Sequence, residues 1–502
     1  MLPIGGFMPR VSFITLVSIF LLCFSGVTFA KEGLVSDATQ ECLDCHASIH
    51  PGIVSEWQKS RHAATTVQAA LKVPELQRKI SNKQVPKTLL STKVGCAECH
   101  TLRGEKHADT FEHNGYDIHV VVSPDDCAVC HIEERRQYAD NIMAAAHGNL
   151  AHNALYNDLE RTVLGESQFQ AGKLQFKPAD AQTKAEGCYY CHGTKLELNG
   201  TETRETDAGE LTFPVIKGWP NQGVGRINLD GSNGACTSCH TRHAFSMETA
   251  RKPYTCKECH SGPDVPAYKI YSTSKHGNIF SSKQDQWRFT STPWTIGTDF
   301  TAPSCAACHI SLVVDTDGVV VNQRTHRIND RLGWRIFGLI YAHPQPKSID
   351  TTPIRNKADL PLPTNLDGTF AEDFLIDGKQ IAQRRSTMQN TCRACHSTSW
   401  VKAHFARLDN TIRTTNQQVH TATQIMQTIW KKGYVQGGKG GSLFDDYIER
   451  RWCDAWLLHA NSTRFVSAMA GGGDYAVFEN GRYELSRTLM QLQDWLKEHE
   501  NK

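Results

Sequence analysis

The sequence predicts a mainly α chain, with short helices and loops over most of its length and long amphipathic helices at its end. Three observations lead there. Sixteen of the 18 cysteines fall in eight copies of Cys-x-x-Cys-His. Those copies are spread from residue 42 to residue 396 with irregular gaps, and few stretches between them carry strand-like alternation. After Ser397 the motifs stop, and Pro-free segments with helical apolar spacing take over.

The motifs are Cys42-Cys45-His46, Cys96-Cys99-His100, Cys127-Cys130-His131, Cys188-Cys191-His192, Cys236-Cys239-His240, Cys256-Cys259-His260, Cys305-Cys308-His309 and Cys392-Cys395-His396. Two thiols separated by two residues reach the two vinyl groups of one haem, and the adjacent histidine lies beneath the iron as its proximal ligand. A zinc site or a disulfide framework would not require a histidine after every second cysteine. The expectation is eight covalently bound c-type haems in a multihaem cytochrome c fold, whose short helices and loops wrap porphyrin.

Composition agrees. Apolar residues make up 39% of the chain, and 54 basic against 52 acidic residues leave a formal charge of +2. That balance excludes an electrostatic nucleic-acid binder. Cys453 has no motif partner and reads as a small buried hydrophobe. Residues 1–30 read as a Sec signal peptide: Arg10 at the positive end, an apolar run from Val11 to Ser25, and Thr28-Phe29-Ala30 at the cleavage site. The apolar run is shorter than the roughly 20 residues of a spanning helix, which disfavours an uncleaved anchor. The mature chain is therefore expected in the periplasm.

Residues 31–410 read as a haem-packing domain and 411–502 as a helical C-terminal segment. Within the latter, helices are expected over 411–432, 444–470 and Arg482–His499, the last with Leu485, Leu489, Leu492 and Leu496 at helical spacing. Glycine-rich breaks at 437–441 and 471–473 divide them. His119–Val122 and Leu312–Val321 are the candidate small hairpins, the second turning at Asp315-Thr316-Asp317-Gly318.

Of 23 histidines, eight are proximal and 15 are left to act as distal ligands. Eight six-coordinate irons would use eight of these, and an enzyme with one open iron would use seven. Neutral imidazole is the natural second ligand of a low-spin c haem. Local context selects His62, His147, His152, His243, His276 and His326. His50, His107, His113, His119, His404, His420 and His459 are further candidates, whereas His343 and His499 read as surface residues.

The stretch Gly223-Val224-Gly225-Arg226-Ile227-Asn228, with Cys236-Thr237-Ser238-Cys239-His240-Thr241-Arg242-His243, resembles the octahaem hydroxylamine oxidoreductase family. So do Ala250-Arg251-Lys252-Pro253, Gly262-Pro263-Asp264 and Tyr271 to Gly277. The resemblance covers most of the mature chain and is sharpest over 220–280. It implies seven bis-histidine electron-carrying haems and a catalytic fourth haem, here that of Cys188, Cys191 and His192, open to a small nitrogen compound. It also implies a homotrimer and, in oxidative members, a tyrosine cross-linked to the catalytic haem; Tyr475 is the first candidate and Tyr483 the second. The family's distal Asp-His pair falls at Asp264-Val265, so the acid is present and the histidine is not.

Those departures point toward the reductive members, acting on nitrite or hydroxylamine with His192 and Asp264 at the site and electrons from a cytochrome or a quinone-linked protein. Two alternatives stand beside this: an electron-transfer cytochrome without a substrate, and an octahaem tetrathionate-type reductase. The Cys-x-x-Cys-Lys motif of another octahaem nitrite reductase branch does not occur.

Overall fold

The computed structural model describes residues 34–207, 209–437 and 442–501, so the expected signal peptide lies outside the described residues. The fold is mainly helical, and most of its helices are short. Seven of the motifs lie in or at the end of an α-helix, among them Asp37–Ile49, Cys96–His100, Cys188–His192 and Cys305–His309; the fifth forms a 3-10 turn, Cys236–Ser238. Helical geometry sets residues three and four apart on one face, so a single turn presents both thiols and the histidine to the same side.

The expected turn at Asp315–Gly318 forms. Val313–Val314 pairs antiparallel with Val320–Asn322, and the Asp315 carboxylate accepts from the amides of Asp317 (3.0 Å) and Val319 (2.9 Å). His119–Val122 is not a strand. Asp109 accepts from the amides of Val120 and Val121 at 2.9 Å each, which occupies donors a ladder would need. The hairpin lies just upstream, Phe111–His113 against Tyr116–Ile118. Two longer hairpins, Glu166–Gln170 with Lys173–Lys177 and Glu197–Thr206 with Gly209–Lys217, were not anticipated. Both are largely solvent-exposed, so they lack the alternation of apolar and polar residues that marks a half-buried strand.

The C-terminal part is built differently. Ser397, directly after the eighth motif, accepts from the Trp400 amide and caps a helix that runs unbroken over Thr398–Lys431. The expected 410/411 boundary thus falls inside one helix. Tyr447–Asp454, a π-helical turn Ala455–His459 and Ala460–Met469 form the next rod, and Arg482–Glu500 the last. Val419, Ala422, Met426, Ile429, Trp452, Trp456, Leu485 and Leu492 interlock in one apolar core with Cys453, which is 3% exposed. Among the described residues, no helix is long and apolar enough to cross a membrane.

Candidate haem sites

Two imidazoles on opposite sides of one metal, each bonded at about 2 Å, hold their ring centroids about 6 Å apart. Five proximal histidines have such a neighbour. His46 faces His113 at 6.1 Å, His100 faces His119 at 6.1 Å, and His131 faces His62 at 6.3 Å. His240 faces His326 at 6.5 Å, and His396 faces His276 at 6.1 Å. Four of the five spacings suit a haem iron held between the rings.

The fifth pair, His100 with His119, is different. Both His119 nitrogens are turned to backbone carbonyls, Nδ1 to Val121 at 3.1 Å and Nε2 to Leu102 at 2.9 Å, so neither is free to face an iron. His243 also lies near His100, close enough for the two to disfavour each other's protonation.

Of the other selected histidines, His147 packs beside the fourth motif, with Nδ1 bonded to the Gly193 carbonyl at 2.7 Å. His152 is exposed at a helix C-cap and has no ring contact to a proximal histidine among the described residues. Spacing along the chain carried no signal for His113, because its partner motif lies far upstream of it. His343 is not a surface residue: it is 2% exposed and sits in a two-residue strand against Trp334–Arg335.

The local chemistry suits neutral imidazole. The Nδ1 atoms of His100 and His192 are bonded to the carbonyls of His119 (2.8 Å) and Ala146 (3.2 Å), which leaves Nε2 for a metal and fixes the ring. Burial holds His62, His240, His309 and His326 down to about 4. These rings are therefore unprotonated at neutral pH, the state that ligates iron.

Beside the third and fifth motifs, four cations converge on one place. The Thr290 carbonyl accepts from Arg61 (3.4 Å) and Lys79 (3.2 Å). Burial, then the charges of Arg61, Arg251 and Arg324, push Lys79 down to about 7. Among the described residues, only Arg324 of the four has a carboxylate, Glu134 at 2.9 Å. Haem propionates are the anions that fit such a cluster.

The fourth motif is locked by close backbone packing. A Cβ on Gly225 would lie 2.6 Å from the His147 amide nitrogen and 2.7 Å from the His192 carbonyl. Gly193, at φ +88°, would place one 2.2 Å from the Arg226 nitrogen. The Gly223–Arg226 stretch is therefore the seat of this motif, with Val224 donating to the Cys191 carbonyl at 3.0 Å. The charges of Arg335 and Asp264 both reach His192. Asp264 is exposed in the chain alone, and its carbonyl accepts from Asn461 at 3.0 Å. Val265 and Tyr475 pack in one apolar cluster with Ile336 and Phe337 of the same chain.

Thiol pairs on single helical turns, each with its histidine, and imidazoles facing one another at metal-bridging distance define a multihaem c-type cytochrome, its haems attached through Cys-x-x-Cys-His. Known proteins agree. Residues 222–330 and 369–442 match the model described as seven times multi-haem cytochrome CxxCH, and 41–132 match cytochrome c554 and c-prime. A solved structure titled hypothetical multiheme protein is 37% identical, with a TM-score of 0.88 over 94% of this chain and 97% of that one. The reducing HAO-like protein complex of Kuenenia stuttgartiensis shares the fold at 17% identity, with a TM-score of 0.59 over 92% of this chain and 85% of that one. A curated relative from the same organism, a probable nitrite reductase-hydroxylamine oxidoreductase fusion protein, is 23% identical over 409 residues. The match takes in 80% of this chain but only 39% of that relative's length. The chain belongs to the multihaem c-type cytochromes and is related in sequence to that fusion protein.

Proposed function

We propose that the protein is a periplasmic octahaem oxidoreductase that acts on a small nitrogen compound, nitrite or hydroxylamine, at the haem of Cys188, Cys191 and His192. One observation carries this reading. Among the described residues His192, His260 and His309 have no imidazole ring facing them at about 6 Å, and of these three only His192 feels both a carboxylate and a guanidinium, those of Asp264 and Arg335. Cys188, Cys191 and His192 would hold the haem that supplies the coordination site and the electrons, and the other motifs would hold the haems that relay electrons to it. The chain's own part is to hold His192 rigid through the Ala146 carbonyl, to seat the motif on Gly223–Arg226, and to offer Asp264 for proton exchange.

Reduction is the favoured direction. Val265 cannot relay a proton, and Tyr475 has an apolar cluster of its own chain to pack in. Electrons would come from a partner cytochrome or a quinone-linked protein, and the expected assembly is a homotrimer.

The test is electron paramagnetic resonance of the oxidised protein with and without nitrite. One high-spin iron that responds to nitrite supports the enzyme, and a fully low-spin, unresponsive spectrum would falsify it in favour of an electron carrier. Asp264→Asn should lower turnover sharply at unchanged haem content; full activity would remove Asp264 from the site. Denaturing electrophoresis should give monomers, whereas surviving trimers would restore the tyrosine cross-link.

A further inference from the structure

The short hairpin of Trp334–Arg335 with His343–Pro344 sets Arg335 directly opposite His343. Nothing in the sequence marked either residue, yet the surrounding structure is built to hold them. Arg464 is fully buried and has no carboxylate partner among the described residues. It spends its donors on the Ile336 carbonyl (3.2 Å), Asn461 (3.1 Å) and Asn416 (2.8 Å). Asn461 in turn holds the carbonyl of Asp264, and Asn416 both donates to and accepts from the Ala342 backbone, at 3.0 and 3.1 Å. Both strands of the hairpin and the Asp264 loop are therefore tied to one clasp.

The side chains follow from that clasp. Arg335 lies over the Phe337 ring at 5.0 Å, and Phe337 packs in the cluster that contains Val265. Its guanidinium has one backbone carbonyl, Phe337 at 3.2 Å, and no carboxylate within ion-pair distance among the described residues. His343 donates from Nδ1 to the Pro344 carbonyl at 2.6 Å, which fixes the ring and leaves Nε2 without a protein partner. A Cβ on Gly338 would stand 2.3 Å from the Tyr341 carbonyl oxygen and 2.8 and 3.1 Å from Cδ2 and Nε2 of the His343 ring, so glycine lets backbone and ring pack here without a shift.

An arginine with spare donors thus stands beside the loop where Val265 leaves no proton-bearing side chain, with buried His343 opposite it on the neighbouring strand. A guanidinium offers paired donors to an anion's oxygens and gains far less from a neutral ligand. We propose that Arg335, held in place by its strand pairing with His343, forms an anion-binding wall of the fourth haem pocket, which selects the negatively charged nitrite over neutral hydroxylamine. This rests on the open fourth haem of the preceding section.

The test is a spectroscopic titration of the oxidised holoprotein with nitrite and, separately, with hydroxylamine. Arg335→Met should weaken nitrite binding by about tenfold or more and leave hydroxylamine within about twofold. Arg335→Lys keeps the charge without the paired donors and should fall between, which also covers a Met variant that fails to mature. His343→Gln and Gly338→Ala should each weaken nitrite binding less than Arg335→Met does. Equal losses for both ligands, or none for nitrite, would overturn the wall. If the unaltered protein binds neither ligand, the open-haem reading fails first, and that result is distinct from a failure of the wall.

Discussion

The haem-bearing region and the C-terminal helices solve the same problem, covering an interior, with different materials. Up to the eighth motif the helices are mostly of four to thirteen residues, and the motif cysteines are half-buried or exposed. Beyond it, Val419, Ala422, Met426 and Ile429 are completely buried along one helix face. A four- or five-residue helix is not stable alone. In the first region the porphyrins must supply the apolar mass that leucine and tryptophan supply in the second. The lesson is that side-chain burial measures the core only where side chains make it.

Four experiments would break or sharpen that contrast. The largest effect should come from Cys188→Ala with Cys191→Ala. One haem should be lost, measured as pyridine haemochrome per chain, and turnover should fall to background. Retained turnover would dissociate activity from the fourth motif. Next, Trp452→Ala in the tail core should cost about 3–5 kcal/mol in denaturant unfolding, because a large buried ring and its bond to Thr423 are both lost. Haem content should stay unchanged; a fall would show that the two cores are one cooperative unit.

The third is a pH effect confined to the tail. Glu449 is 2% exposed, and burial raises its carboxyl to about 7 despite the bond from Trp430 at 2.7 Å. Its folded pKa lies above the unfolded value of about 4.3, so the folded state keeps the proton longer. Stability from this group is fully present below the unfolded pKa and is lost as pH rises through about 7, by at most about 4 kcal/mol. Glu449→Gln should flatten unfolding free energy between those limits; an unchanged slope would assign it elsewhere. The smallest effect belongs to Cys453→Ala, about 1–2 kcal/mol from a small cavity, with an unaltered haem count. Loss of haem there would contradict its role as a packing residue.

The motifs, the mainly helical class and the late helices were legible because each is a local pattern: a spacing of three and four, or a leucine every three or four residues. His62, His276 and His326 were legible in the same way, from short contexts around each. His113 stood only among the further candidates, and His343 was read as surface, because what distinguishes both is what folds onto them from far away. The exposed hairpins escaped notice because neither face is buried, and burial is what writes alternation into a strand.

By itself, then, the sequence marked the thiols and histidines of the Cys-x-x-Cys-His motifs for c-type haem, since covalent attachment needs only a few adjacent residues. Only the tertiary structure decided which histidine faces which. It also brought the charges of Asp264 and Arg335 within reach of His192. Contacts between segments 70 to 150 residues apart follow from packing, and no local spacing encodes them.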